Sequence, residues 1–390
     1  MFAILVKVLS VSLRYRFGPG WREHRVIPSC TLATELCIVV FQPIKERTAV
    51  MGEYVGLDVS KADTAVCVMD ESANIIFEGK CSSDPHEIFK LLREETLCPE
   101  LIVLETGTLS KWLQRGLREL GLPAEVIDAR HAHGVMGLQL NKSDASDAVL
   151  LAKIAQTGFY KPVAVGSLQS QERQTYLKAR KQLIKSARST ENTVRGLLGS
   201  FGVKMPTGVP KFINRVRLAL DDHPNLKPSI EPLLAAITAL REQIGIIDKR
   251  LLKNAKSDAA CQLLMTVPGV GHLTAQAFVA SIDDPARFTS SRDVGAYFGL
   301  TTRRYQSGER DVSGRISKIG DSMTRALLYS AASAFLLHVQ RPHPVKAWAN
   351  RIKQRSGHRK AVVALARKMS VIMHKMLVTG EAFHWPETAK

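Results

Sequence analysis

No apolar run in this 390-residue chain is long enough to span a bilayer. Cysteine is sparse: Cys30, Cys37, Cys67, Cys81, Cys98 and Cys261 form no CxxC pair. That excludes a disulfide scaffold and fits a reducing cytoplasm. The 11 histidines are scattered too; His131 and His133 lie two apart, but no cysteine or second histidine pair completes a zinc set. Negative charge is missing from one long stretch, since Gln340–Gly380 holds ten Lys/Arg and no Asp or Glu. Cations so unopposed favour phosphate contacts over a merely solvated face.

What is present is uneven. The formal charge is +18, which points to a polyanionic partner. Yet Gly52–Leu150 carries 17 Asp/Glu against 9 Lys/Arg, so the rest of the chain is more basic than the total suggests. An acidic module joined to strongly basic ones suits a cation-binding catalytic core held on nucleic acid by its neighbours. Residues 1–50 fit neither part. Met1–Ser12 faintly resembles a signal peptide, but Lys7 interrupts its apolar core and no A-x-A site follows. We read this segment as an unstructured upstream extension, with translation expected to start at Met51.

The segment Tyr54–Lys61, YVGLDVSK, reads as a buried strand with Asp58 in its middle. A mid-strand carboxylate is costly to bury without an Arg, Lys, backbone N–H or metal partner. Further carboxylates are available to build a metal site. Glu105 ends a second apolar run, while Asp144 and Asp147 stand three apart at the start of a helical stretch and can share one face. Together they would hold Mg²⁺ or Mn²⁺, which takes oxygen ligands and polarises a phosphodiester. Each alone could be a capping or surface acid, Asp144 in particular. Asp63, Asp70 and Asp128 are expected in turns or on the surface.

Strands are expected near 54–60, 64–69, 74–79, 100–105 and 124–127, with helices at 84–95, 109–120 and 144–157. This βββ-α-β-α-β-α order, with acids on the first and fourth strands and a late helix, is that of the ribonuclease-H-like fold of RuvC resolvases and many transposases. Arg173–Arg217 holds 11 Lys/Arg and one acid. With the near-heptad apolar spacing of Pro224–Ala255 it predicts a helical hairpin or coiled coil, either a packed spacer or a dimerisation arm. Pro268-Gly-Val-Gly271 between apolar helices reads as a plain turn or as a helix-hairpin-helix element. In the second reading Gly269 and Gly271 let backbone N–H groups approach a phosphate. A helix over 291–298, a polar loop over 299–318 and a helix over 321–338 follow. The expected divisions are 52–165, a RuvC-like catalytic domain; 166–257, a basic helical region; 258–340, a mainly helical C-terminal domain; and 341–390, a basic helical tail.

VGLDVSK, Leu104–Thr106, NKSDASDAVLLA (Asn141–Ala152), VPGVGHLTA and AYFGLTTRRYQSGERDVSGRISKIGD resemble the DEDD transposases of bacterial insertion sequences. That family includes Piv-type invertases and bridge-RNA-guided recombinases. The resemblance covers Gly52 to about Phe335. It implies a RuvC-like domain carrying the tetrad and a C-terminal domain supplying a nucleophilic serine. It implies DNA cleavage through a phosphoserine link in a homo-oligomer, a dimer or tetramer, with a structured guide RNA pairing to donor and target DNA. Ser307 matches the nucleophile, with Ser313 and Ser317 as rivals; Gln306, Glu309 and Arg310 depart from the family's usual residues. Arg303, Arg304 and Arg310 flank Ser307, and Arg315, Lys318 and Arg325 are expected to touch phosphate or RNA. Two rival readings are a junction endonuclease that uses water and needs no Ser307, and a nucleic-acid-binding protein with an inert acidic site.

Overall fold

The computed structural model describes residues 52–96, 99–128, 143–208, 211–308 and 310–385. The 1–50 segment, the His131/His133 pair, Glu309 and the first two residues of NKSDASDA lie outside the described residues.

Strands β1 (Glu53–Val59), β2 (Asp63–Met69) and β3 (Ile75–Ser82) form an antiparallel meander. Asp70 closes the second turn by accepting from the Asn74 backbone at 2.8 Å, the local role expected of it. Helix α1 (Pro85–Glu95) starts under an Asp84 cap with proline at its first position. Then come β4 (Pro99–Glu105), α2 (Ser110–Glu119) and β5 (Ala124–Ile127). The strand order is β3-β2-β1-β4-β5, with β1, β4 and β5 mutually parallel.

Period-two alternation gives this mixed sheet two apolar faces. On one, Val55, Leu57, Ile102 and Leu104 pack with Ile88 and Leu92 of α1 and Leu113 and Leu117 of α2. The other is covered by α3 (Asp144–Thr157): Ala65 and Cys67 meet Ala148 and Ala152, and Val103 meets Leu151 and Ala155. Ser143 and Ser146 form a reciprocal capping box at the start of α3, so Asp144 has no capping task.

Two long helices follow, α4 (Leu168–Gly199) and α6 (Lys227–Ser257), with the short α5 (Phe212–Asp221) between them. At 32 and 31 residues each long helix runs about 47 Å. They lie antiparallel, since Arg173 pairs with Asp258, Arg180 with Asp248 and Glu191 with Arg241. Val194 and Leu198 of α4 pack with Phe212 and Val216 of α5 and Leu234 and Ile237 of α6. Much of the heptad seam is therefore used inside the hairpin.

The remaining helices are α7 (Ala259–Met265), α8 (His272–Ile282), α9 (Asp293–Tyr297), α10 (Ser322–His338), α11 (Pro344–Ser356) and α12 (His358–Thr379). Three expectations need correction. The 299–318 loop is a β-hairpin, β6 (Thr302–Ser307) against β7 (Arg310–Ile316), turned at Gly308 with φ +54°. The helix expected over 291–298 forms only over Asp293–Tyr297. No boundary falls at 340, because Ala349, Val362, Leu365, Ala366, Met369 and Met373 share one core with Leu264, Phe278, Leu328 and Phe335. Nine of the ten cations of the supposed tail lie on α11 and α12, whose apolar faces complete this core. Among the described residues no helix is long and apolar enough to cross a membrane.

Candidate active site and nucleic-acid interface

Register decides where the acids stand. Lys80 pairs with Ala65, Ala65 with Asp58, and Glu105 with Ile127. Leu57 pairs with Leu104, so Asp58 and Glu105 are the next positions on adjacent parallel strands. Such neighbours lie about 4.8 Å apart and point to the same face. That face is the one beneath α3, because Gly56, two residues before Asp58, lies directly under the helix. A Cβ at Gly56 would come within 2.1 Å of the Ala148 carbonyl oxygen and 2.3 Å of the Ala152 nitrogen. Glycine is what lets the helix lie on the sheet. The helical turn before Ala148 carries Asp144 and Asp147.

The four acids therefore share one sheet face and one helix start, in differing surroundings. Asp147 is buried at 6% exposure, and Asp58 and Glu105 are half-buried. The Asp144 side chain is 67% exposed and pairs with Lys80 Nζ at 3.3 Å. Among the described residues no three His, Cys, Asp or Glu side chains form a group that could hold a metal as they stand. The backbone elements converge while Asp144 is turned to Lys80. An all-oxygen donor set nevertheless suits a hard divalent cation. Gly56 and Lys80 were missed from sequence; the glycine's signal was present in VGLDVSK, but its meaning depends on the helix above it.

The hairpin places Ser307 at the end of β6, exposed and opposite Arg310. Ser313 lies within β7 and Ser317 just beyond it. The expected phosphate ligands divide into two kinds. Arg304 is held by Asp311 through two hydrogen bonds of 2.8 and 2.6 Å, which raises the guanidinium's affinity for its proton and lowers the carboxyl pKa. Arg325 donates to the Phe298 and Ile319 carbonyls at 3.0 Å, a structural task. Arg303 reaches the Ser317 carbonyl at 3.4 Å. Arg310, Arg315 and Lys318 are exposed.

The PGVG glycines part company. Gly269 has φ +84°, and a Cβ there would meet the Ala331 carbonyl oxygen at 2.5 Å and the Phe335 nitrogen at 2.9 Å. It serves close packing against α10. Gly271 caps α8 and has open space around its Cβ position. Asp283, not singled out from sequence, accepts from the Ser167 backbone N–H at 2.8 Å and hydroxyl at 2.6 Å, and from the Ser170 hydroxyl. It ties the start of α4 to the end of α8.

An acidic sheet surface joined to a basic helical region with an exposed serine hairpin has the build of an enzyme acting on nucleic acid. Residues 261–348 match the family model described as Transposase IS116/IS110/IS902 family, and residues 55–202 match a model for DEDD transposases of the IS110 type. All four acids fall within the second match and Ser307 within the first. The transposase for insertion sequence element IS1111A of Coxiella burnetii is 30% identical over 84% of this chain and 90% of its own. A putative transposase, y4pF/y4sB, of Sinorhizobium fredii is 27% identical over 85% and 86%, and a probable family 20 transposase of Pseudomonas aeruginosa is 26% identical over 83% and 96%. The chain belongs to the IS110 family of insertion-sequence transposases, enzymes that cut and join DNA.

Proposed function

We propose that this transposase cuts and rejoins DNA through a two-part site: Asp58, Glu105, Asp144 and Asp147 on a ribonuclease-H-like sheet domain, and Ser307 as nucleophile. The observation that carries this reading is the adjacency of Asp58 and Glu105 beneath the helical turn bearing Asp144 and Asp147. The strand order and directions support the ribonuclease-H-like assignment. The four carboxylates would hold Mg²⁺ or Mn²⁺, which supplies charge neutralisation at a phosphodiester. Asp144 would first have to leave Lys80.

In the proposed step the Ser307 oxygen bonds to phosphorus as the bond to one sugar oxygen breaks; the serine hydroxyl proton passes to a carboxylate or water, and the leaving sugar oxygen takes up a proton from water. Rejoining reverses the exchange with a different strand. Arg310, paired with Ser307 across the hairpin, would offset charge developing on the phosphate. We further propose that the protein works as a homo-oligomer with a structured guide RNA, a reading supported by its family resemblance.

The test is denaturing electrophoresis of purified protein with labelled element-end DNA, Mg²⁺ and the element's own RNA. A covalent protein–DNA adduct is expected, lost in Ser307→Ala and on chelation. Strand cutting without an adduct would transfer the assignment to the water-using endonuclease. An adduct that persists in Ser307→Ala but vanishes in Ser313→Ala or Ser317→Ala moves the nucleophile along the hairpin. RNA guidance fails if cutting is indifferent to the RNA.

A further inference from the structure

A groove of about 1170 Å³ opens between the base of the β6–β7 hairpin and helices α11 and α12. Eight Lys/Arg line it and no carboxylate does. Arg359, Lys360, Arg367 and Lys368 recur at four-residue intervals with Val363 and Ala364, one continuous face of α12. Arg355 of α11, Arg315 of the hairpin, Lys318 just beyond it and Arg292 complete the cationic lining. Among the described residues none of the eight makes an ion pair. Leu300, Trp348, Ile352 and Val363 add apolar surface to the same lining, with Trp348 half-buried.

We infer that this groove binds an unpaired DNA strand, its phosphates on the cationic walls and a base against Trp348. Charge alone calls for a polyanion. The apolar part of the lining then chooses among polyanions, because a duplex presents mainly phosphates and sugars to such a groove and leaves the apolar surface wet. An unpaired strand covers both, which is how single-stranded sites combine a basic track with aromatic platforms. DNA follows from position and rests on the assignment of Ser307. The hairpin that forms one side of the groove carries that serine at its far end, about 17 Å away along the strand. A strand lying in the groove would lead directly to the hydroxyl.

The test uses full-length protein and dye-labelled dT₁₂, with a duplex and an rU₁₂ of equal length, followed by fluorescence anisotropy across a salt series. Expected are preference for dT₁₂, a loss of about tenfold in Trp348→Ala, and recovery of most of it in Trp348→Phe. Replacing Arg359 or Arg367 by Gln should reduce the slope of log Kd against log salt by about 0.7 each. Photo-crosslinking with 5-iododeoxyuridine should label the peptide Ala347–Arg351. Equal or tighter binding of duplex or RNA, an unchanged Kd in Trp348→Ala, or crosslinks confined to other peptides would each overturn the inference. Binding needs no cleavage, so this assay and the adduct assay fail separately.

Discussion

The sheet domain and the helical C-terminal region place charged groups by opposite means. In the sheet domain the acids sit on short side chains whose positions are set by backbone register, Asp58 beside Glu105, with α3 fixed above them by Gly56. In the C-terminal region the cations sit on long, exposed side chains along a helix face and a hairpin. The partners proposed for each account for the contrast. A small divalent ion demands oxygen atoms placed within tenths of an ångström. A nucleic-acid strand offers a repeated charge that flexible cations can follow. Substitutions on the acidic side should therefore act almost all-or-none, and those on the basic side by increments.

The largest effect should come from Asp58→Asn or Asp147→Asn. Each should reduce strand cleavage by about a thousandfold, the scale of several kcal/mol of charge stabilisation. Thermal stability should change far less than cleavage, because each substitution keeps the shape of the side chain. Cleavage rates near wild type would erase the distinction between the two regions. Gly56→Ala tests the scaffold instead of the ligands. Its methyl group has no room against Ala148 and Ala152, so we expect a loss of about 3 kcal/mol in urea unfolding, with cleavage falling in parallel. A variant as stable as wild type would mean that α3 does not lie on the sheet at Gly56.

In the C-terminal region the sharpest contrast is between two glycines two residues apart. Gly269→Ala should destabilise by about 2 kcal/mol or more, since φ +84° disfavours a side chain and the Ala331 carbonyl blocks it. Gly271→Ala should stay within about 0.5 kcal/mol of wild type, because its Cβ position is open. Equal effects in calorimetry would contradict this packing against α10.

Most of the sheet domain was legible because its signals are local. Apolar alternation marks strands, Asp84-Pro85 marks a helix start, and an acid at a strand end keeps its face once the register is known. Domain limits were less legible. The face of α12 that carries Arg359, Lys360, Arg367 and Lys368 reads as a separate phosphate-contacting tail, while Leu365, Met369 and Met373 on the same helix belong to the core. Those two faces can be told apart in sequence, but which domain receives the apolar one depends on contacts with residues a hundred positions earlier. The hairpin was hidden for a similar reason. Arg, Thr, Gln and Ser dominate β6, whose residues are exposed throughout, so no apolar alternation marks it. Pairing with β7 and the Arg304–Asp311 bridge accompany it instead.

The smallest effect concerns the tie between the long hairpin and α8. Burial pushes the Asp283 carboxyl up, but hydrogen bonds from Ser167 and Ser170, with Arg287 nearby, outweigh it and leave the pKa below its usual value. A carboxylate whose folded pKa is depressed stabilises the fold fully above its unfolded pKa, near 3.9, and loses that contribution as pH falls through the folded value. Asp283→Asn removes the charge and with it this dependence. The variant should be less stable than wild type by about 1 kcal/mol at neutral pH, a figure reduced for solvent screening at a half-buried site. The gap should persist down to about pH 5 and narrow below about pH 4 as the wild-type carboxyl protonates. Urea midpoints at pH 7, 5 and 3.5 measure it. A gap that widened toward acid would mean that Asp283 gains its stability in the protonated form, and the serine hydrogen bonds would then have to be reassigned.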